Sequence, residues 1–345
     1  MQTATPARRL AWLDITKGFA ILCTIVGHTV AYGGHIKTLI FSFHMPLFFL
    51  LSGYTTKEVE RGQLAKATWK DFKRLYLPVL LMRFLTFLYE VIFQDASIPY
   101  SAWDNIRRIL YGNGNDHVLL DKLPMFGVGV LWFLVAMFWA KLGYRLCLRY
   151  IKHYRFMFLL MGTFCSMWVG THVWLPQSMD LIFLCMLFME GGYQLRHSGL
   201  EGSKALQISG VVAFFVWIYS VWDKGILISM ATRLYPSFIL CIVVAFAGCL
   251  AVIQFCKSLE GLRSSALLSF LGRHSLELLC IHHLDFRITL WDITTFNPNG
   301  ALGPLNPLLT SVYRILLDVA VLLVYLGVKK LLARILQKPS LSASV

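Results

Sequence analysis

The sequence predicts an all-α integral membrane protein of about ten transmembrane helices in a single bundle, with both termini in the cytoplasm. Three observations support this prediction. Of the 345 residues, 57% are hydrophobic and 14% are charged, whereas a soluble domain is about 45–50% apolar and about 25% charged. Apolar stretches of about 20 residues, the length that spans a bilayer, recur from one end to the other. Lysine and arginine also alternate between successive loops.

Ten apolar stretches are candidate spans, and no long polar linker separates them. The sixth and ninth are short or interrupted by polar residues, so counts of nine and eleven stay open. We expect residues 1–338 to form one transmembrane domain and residues 339–345 a short tail. The candidate spans are residues 12–33, 37–55, 75–94, 127–148, 155–175, 178–195, 204–222, 236–256, 265–284 and 307–328.

The distribution of basic residues tests this count. With the N-terminus inside, 22 of the 32 lysines and arginines fall on the cytoplasmic side and 7 fall outside. Lysine and arginine accumulate in cytoplasmic loops, and adding or removing one span would destroy the alternation. The net charge of +14 is therefore topological, and it suits contact with anionic lipid. Nucleic-acid binding is not expected, because no clustered basic face with base-reading groups is present.

The first span carries Asp14, Lys17 and His28 on one helical face, in a stripe about 21 Å long. Charged or titratable groups at membrane depth are costly and mark functional sites or buried partners. A cation at the inner mouth with a histidine deeper in suits a charged donor that arrives from the cytoplasm. Histidine can take a proton from an attacking hydroxyl. A packed histidine, with Lys17 extending to the interface, is an equally weighted alternative.

The second span adds two candidates for the lining of a cavity. His44 precedes Pro46, which predicts a kink and room for a cavity. Ser52 and Gly53 end the span, where glycine lets two backbones approach closely. For Ser52, a packing role is favoured over a chemical one.

A basic cluster stands directly before the third span, in what is predicted to be a cytoplasmic loop. Its members are Lys70, Lys73 and Arg74. Arginine presents a fork of donors to phosphate and lysine a point charge, so the cluster could hold a phosphate-rich ligand. From composition alone, topology and anionic lipid are the better explanation.

Later spans hold further charged residues. Glu190 lies deep in the sixth span. Arg83 with Glu90, and Arg314 with Asp318, are spaced to pair with each other within one helix. Unpaired charges in a membrane are expensive, so mutual pairing is the expectation for both sets.

The ninth span places Ser275 and His282 on one face, two helical turns apart, while His283 points about 100° away. Adjacent histidines on a regular helix cannot converge on one ion, and no H-E-x-x-H motif is present, so no metal site is expected. The eight cysteines lie in or beside apolar spans without a C-x-x-C pair. They are predicted to be small buried hydrophobes.

Two outer segments, residues 94–126 and 285–305, combine polar residues with aromatics such as Trp103, Tyr111 and Trp291. Sugar-facing surfaces are built in this way, but an interfacial aromatic belt is the favoured interpretation.

Five motifs in order resemble the membrane acyltransferase-3 family, and within it the single-domain branch of fucose 4-O-acetylase-like sugar acetyltransferases. The similarity covers most of the chain and is strongest over the first eighty residues and residues 268–283. The motifs are LDITKGFAILCTIVGH, FHMPLFFLLSGY, KDFKRLYLP, LWFL and FLGRHSLELLCIH.

The resemblance implies a ten-helix acyltransferase of the bacterial inner membrane. Such an enzyme would take acetyl from cytoplasmic acetyl-CoA and pass it to a hydroxyl of a cell-envelope glycan or a lipid-linked sugar. The family's basic-residue-x10-His signature falls on Lys17 and His28, with lysine where many members have arginine. By similarity His28 is the catalytic histidine, with Asp14 or Ser52 as the residue that orients it.

The resemblance also implies a grip on the coenzyme phosphates by Lys17 and the basic cluster. Arg74 matches one arginine of the family's basic pair, but Asp71 stands where the other is expected, so Lys70 or Lys73 would have to substitute. Ser275 and His282 match the family's late Gly-x-x-Ser-Leu…His pattern. They are expected to form, with His44 and Glu190, a substrate-facing or cavity-lining set.

Two alternatives stay open from the residues. One is a proton- or ion-coupled transporter that uses His28, Glu190 and Arg314. The other is an acyltransferase for a longer acyl chain such as succinyl.

Overall fold

Of the fourteen α-helices in the described part of the chain, twelve lie in the ten predicted spans and two lie between spans. The computed structural model describes residues 10–30, 34–60, 62–119, 123–200, 202–288 and 306–336. Its α-helices are α1 (Ala11–Thr29), α2 (His35–Phe41), α3 (His44–Thr55), α4 (Leu64–Asp71), α5 (Leu77–Phe93), α6 (Ile98–Tyr111), α7 (Trp132–Tyr150), α8 (Arg155–His172), α9 (Ile182–His197), α10 (Lys204–Lys224), α11 (Phe238–Ser258), α12 (Ser265–Arg273), α13 (Ser275–Ile288) and α14 (Asn306–Leu336).

Each of the ten candidate spans coincides with one helix or with a broken pair of helices. Among the described residues, five helical runs are long and apolar enough to cross a membrane: His35–Thr55, Leu64–Phe93, Gly129–Tyr150, Lys204–Lys224 and Phe238–Ser258. The all-helical membrane fold is thus confirmed. The count of ten crossings and the cytoplasmic position of both termini stay predictions, and residues 1–9 and 337–345 lie outside the described part of the chain.

Three of the helical runs contain a break or a π-helical turn. The second breaks between α2 and α3, so Pro46 lies in the first turn of α3, where the missing N–H has no helical partner to lose. The indole N–H of Trp217 donates to Ser42 Oγ at 2.7 Å and stabilises this break. The third run contains a π-helical turn at Phe72–Tyr76, directly before Pro78. The ninth breaks at His274, between α12 and α13.

The prediction that the basic cluster lies in a loop is wrong. Lys70 is in the last turn of α4, and Lys73 and Arg74 are in the π-helical turn. A π-helical turn inserts one extra residue per turn, which rotates the side chains on either side of it relative to a regular helix. The cluster is therefore spread around a helix rather than gathered on a loop.

Glycines set the closest helix crossings. A Cβ on Gly18 of α1 would lie 1.9 Å from the carbonyl oxygen of Leu268 in α12, and one on Gly272 would lie 1.7 Å from that of Asp14. Gly53 of α3 makes the same kind of approach to Met189 of α9, which confirms the predicted close backbone contact. These crossings hold α1 against α12 and α3 against α9 as the two largest helix interfaces.

The first outer segment, residues 94–126, contains regular secondary structure in its described part. It holds α6 and a two-stranded antiparallel hairpin of β1 (His117–Leu119) and β2 (Leu123–Met125). Trp103 is exposed on α6, with other apolar side chains beside it, whereas Tyr111 is buried. This arrangement agrees with an interfacial aromatic face for Trp103 but not for Tyr111. Trp291 and most of the second outer segment lie outside the described residues.

The eight cysteines are free thiols, as predicted. Six are buried, Cys23 is half-buried and Cys165 is exposed on α8. The buried cysteines pack in the apolar core as small hydrophobes.

Candidate active site

A cavity of about 520 Å³ opens at the end of the bundle where α1 begins and α3 ends. We call it the basic cavity. Five predicted site residues line it: Asp14, Lys17, Ser52, Arg74 and Ser275. Its charged lining side chains are Asp14, Lys17, Asp71, Arg74, Lys141, Arg273 and Glu277. The four cations outnumber the three acids, so the cavity favours an anionic ligand.

The cations of the basic cavity differ from those that the sequence suggests. Lys70 and Lys73 are exposed and do not line it, and Lys73 Nζ lies 5.8 Å from the ring centroid of Trp69. The suggestion that either lysine replaces the family's second arginine is therefore not supported by the geometry. Lys141 of α7 and Arg273 of α12 do line the cavity, so they are the candidates for the role of the second arginine.

Asp71 joins these cations to the start of the third helical run. Its carboxylate is buried and lies 2.6 Å from Arg145 Nη1 and 3.7 Å from Lys141 Nζ. Breaking such a buried pair leaves an uncompensated charge and costs about 3–5 kcal/mol. Asp71 therefore anchors two basic side chains of α7 beside Arg74 rather than weakening the basic wall.

A second, smaller cavity of about 30 Å³ lies at the opposite end of α1 and is lined by His28 and His44. We call it the histidine cavity. The loop residues Ser229, Met230 and Ala231 form another part of its wall. His44 Nδ1 lies 2.7 Å from the carbonyl oxygen of Ile40, which fixes the ring across the break between α2 and α3.

The two cavities meet at a thin apolar wall. Met45 and Leu279 line both of them. Along α1, Lys17 and His28 are eleven residues apart, or about 16 Å. The predicted stripe therefore runs from one cavity to the other, with its lysine in the first and its histidine in the second.

This geometry bears on the residues suggested to orient His28. Asp14 lies in the first turn of α1 and His28 in the last, about 21 Å apart along the helix axis. Ser52 lines the basic cavity and is absent from the lining of the histidine cavity. The prediction that Asp14 or Ser52 orients the ring of His28 is therefore wrong, because neither side chain lies beside that ring.

His282 is a predicted site residue that lies beside His28. The two ring centroids are 5.5 Å apart, with an interplanar angle of 47°. His282 is fully buried. Ser275, two turns earlier on the same helix, lines the basic cavity instead. The two residues were predicted to share a helical face, but of the two only Ser275 lines either cavity.

The expected ion pairs within single helices have other partners. Arg314 Nε donates to Asp285, and His282 Nδ1 lies 3.1 Å from Asp318 Oδ2. Glu90 accepts from Ser101 Oγ at 2.5 Å, and from Asn105 Nδ2 at 2.9 Å. Arg83 is fully buried. For Arg314, Asp318 and Glu90 these partners lie on other helices, and sequence spacing could not show them.

Glu190 lies away from both cavities. It accepts from Arg155 Nε at 2.6 Å, from Tyr144 Oη at 2.7 Å and from Gln194 Nε2 at 2.6 Å. Neither cavity lining includes it. The structure thus places Glu190 in a hydrogen-bonded cluster between α7, α8 and α9, and not beside the other predicted site residues.

Sequence reasoning missed Lys141, Arg273, Asp285 and Asp318 as parts of this region. Lys141 and Arg273 each fall within a candidate span, and a charge inside a span is itself a signal of a functional site. Asp318 had been assigned to Arg314 by spacing alone. A pairing between α13 and α14 needs tertiary contact and has no such signal.

The site thus consists of a cavity lined by four basic and three acidic residues and a second cavity lined by His28 and His44, within a bundle of membrane-type helices. A family model described as an acyltransferase domain, acyltransferase-3, matches residues 10–326. The chain therefore belongs to the acyltransferase-3 family and is a membrane O-acyltransferase. Neither curated proteins nor solved structures give a match. The narrower likeness to fucose 4-O-acetylases stays a prediction.

Proposed function

We propose that this acyltransferase moves an acetyl group from cytoplasmic acetyl-CoA to a hydroxyl of a cell-envelope glycan or lipid-linked sugar, in a bacterial inner membrane. One observation carries the proposal. A cation-lined cavity and a histidine-lined cavity lie end to end along α1, and Met45 and Leu279 line both. Such a pair of chambers suits one charged donor and one hydroxyl acceptor that approach from opposite ends.

The donor would enter the basic cavity. Arg74 and Lys141 would bind the coenzyme phosphates, with Lys17 further along the cavity wall. The pantetheine arm would then extend along α1 towards His28 and bring the thioester to the wall between the cavities. Methionine is flexible and adapts to irregular neighbours, so Met45 can shift to admit the acyl group.

The chemistry would take place at His28. Its imidazole accepts the proton of the acceptor hydroxyl while the oxygen attacks the thioester carbonyl. The carbon–sulfur bond then breaks, and the coenzyme leaves as a thiol after taking the proton back from the imidazolium. One acetyl group is transferred, one thiol is released, and no oxidant or reductant is required.

The transporter alternative needs His28, Glu190 and Arg314 to act as one relay. Glu190 is engaged by Arg155, Tyr144 and Gln194 in a cluster apart from both cavities. Glu190 is thus held by partners outside both cavities, and the geometry gives no support to a relay that it would share with His28. A longer acyl chain remains a matter of donor preference and is tested with succinyl-CoA beside acetyl-CoA.

Two variants test the proposal in membranes of a deletion strain that receives radiolabelled acetyl-CoA. His28→Ala should abolish label transfer to envelope glycan while acetyl-CoA binding persists. Arg74→Ala should weaken binding by about tenfold or more, because a hydrogen bond to a charged group contributes about 1.5–3 kcal/mol.

Lys66→Ala is the matched control, since Lys66 is an exposed lysine of α4 that does not line the basic cavity. It should bind and transfer as the wild type does. Full glycan labelling by His28→Ala would refute the catalytic assignment. Proton-coupled solute flux without acyl transfer by the wild type would refute the enzyme itself.

A further inference from the structure

A cluster of buried polar side chains lies beside His28, where α13 packs against α14. His282, Asp285, Arg314 and Asp318 are each at most 2% exposed. Arg314 Nε donates to Asp285, and His282 Nδ1 lies 3.1 Å from Asp318 Oδ2 and 3.8 Å from Asp285 Oδ2. Ionisable groups at membrane depth are costly, so a cluster of four calls for a function.

His282 connects this cluster to His28. Its Nδ1 faces carboxylate oxygens, which accept hydrogen bonds, so Nδ1 carries the proton and Nε2 is the acceptor of a neutral ring. The centroids of the two imidazoles are 5.5 Å apart. That separation allows a hydrogen bond between the rings, directly or through one water. One nitrogen of His28 would then face His282 and the other the histidine cavity.

The cluster places the carboxyl groups of Asp285 and Asp318 and the guanidinium of Arg314 beside His282. A buried carboxylate behind a histidine stabilises the imidazolium that forms during proton transfer, as in a Ser-His-Asp triad.

Other groups that face His28 act in the opposite direction. Lys37 of α2 and His44 of α3 are its electrostatic neighbours, in addition to His282 and Arg314. A cation close to His28 disfavours a second positive charge there. The carboxylates of α13 and α14 are therefore needed to offset it when His28 takes a proton.

We propose that His282, held by Asp318, is a positioning residue for acyl transfer: it fixes the ring of His28 and stabilises the imidazolium that forms there. The inference rests on the proposed acyl transfer through His28. Asp285 and Arg314 secure the carboxylate side of the cluster. No histidine or carboxylate of α13 or α14 forms or breaks a covalent bond in this step. The hydroxyl proton moves onto His28 and from there to the sulfur of the leaving coenzyme.

A metal ion is the competing explanation for these residues. One ligand atom each of His282, Asp285 and Asp318 lies within 4.8 Å of the others. Arg314, however, donates to Asp285 and places a permanent cation beside it. A guanidinium next to a would-be ligand repels a cation, so the positioning role is favoured.

The test measures initial rates of label transfer to envelope glycan from radiolabelled acetyl-CoA, over a range of donor concentrations, in membranes with matched enzyme content. His282→Gln and Asp318→Asn should each lower kcat by about 100-fold, within the range of general acid–base catalysis. The donor KM should change by less than about twofold, because the basic cavity is untouched.

His283→Gln is the matched control, since His283 is an equally buried neighbour on the same helix that points to another side. It should retain kcat within about twofold. Asp318→Glu should recover more kcat than Asp318→Asn, because it keeps the charge. A merely structural role predicts the reverse order, since asparagine matches the shape of aspartate.

Three outcomes would overturn the inference while leaving the proposed function intact. These are unchanged kcat in His282→Gln, equal losses in His283→Gln, and a stoichiometric bound metal whose removal by EDTA abolishes transfer. If the wild type itself transfers no label, it is the proposed function that fails.

Discussion

At the scale of single residues, Asp71 changes the interpretation of the donor site. It stands where the resemblance to the family leads one to expect an arginine, yet its carboxylate is buried against Arg145 and Lys141. The cation that the sequence lacks at this position is supplied from α7. Lys141 lines the basic cavity, whereas Lys70 and Lys73, the nearest basic residues in the chain, are exposed.

The proposed donor site predicts that Lys141→Ala raises the KM for acetyl-CoA by about tenfold, since the lost charge-assisted hydrogen bond is worth about 1.5–3 kcal/mol. Its kcat should stay close to that of the wild type. Lys73→Ala should leave both constants unchanged. Initial rates of label transfer compare the two variants. A larger effect for Lys73→Ala would favour the sequence-based prediction that Lys73 binds the coenzyme phosphates.

At the scale of helices, the crossing of α1 and α12 sets where Lys17 stands. Gly18 and Gly272 let the two backbones touch, next to Asp14 and Lys17 in the basic cavity. Both helices bring charged side chains to that cavity, so the close packing serves the site. A side chain at either glycine would push the helices apart by the width of a methyl group or more.

This crossing predicts that Gly18→Ala and Gly272→Ala destabilise the protein by about 1–3 kcal/mol, the usual cost of overpacking, and lower its melting temperature in detergent. Gly327→Ala in α14 is the matched control, because a Cβ there has no heavy atom within 4 Å. It should be neutral or slightly stabilising, since glycine costs about 1 kcal/mol relative to alanine inside a helix. Equal melting temperatures for all three variants would contradict the crossing.

The helices were largely predictable, because hydrophobic stretches and their lengths are local properties. Pro46 predicted a kink in the second span, but not its position at Ser42, where Trp217 donates a hydrogen bond. The break at His274 was not predicted. Much of the basic cavity was predictable too, since Asp14, Lys17 and Arg74 are marked by spacing or motif. The contact of His282 with Asp318 joins positions 36 residues apart, and local pattern holds no information about it.

At the scale of the whole molecule, the orientation in the membrane decides which cavity faces the donor. The charge distribution predicts that the basic cavity lies on the cytoplasmic side and α6 with the hairpin on the outer side. The proposed use of cytoplasmic acetyl-CoA depends on that orientation.

The orientation predicts opposite labelling of two engineered thiols by a membrane-impermeant maleimide. Asn115→Cys, exposed before the hairpin, should react in intact spheroplasts, whereas Lys70→Cys, exposed on α4, should react only after the membrane is permeabilised. The wild type, with its eight free cysteines, gives the background. The reverse pattern would place the basic cavity outside and exclude a cytoplasmic donor.

The wall formed by Met45 and Leu279 has a consequence for the cell's energy supply. These two side chains lie between the two cavities, where an apolar barrier would separate them. In the proposed bacterial inner membrane, the voltage across the bilayer would be worth about 2.3 kcal/mol for each elementary charge per 100 mV. The passage for the acyl group must therefore stay closed to protons between turnovers, and an apolar barrier that yields to a bulky neutral group but not to water meets that need.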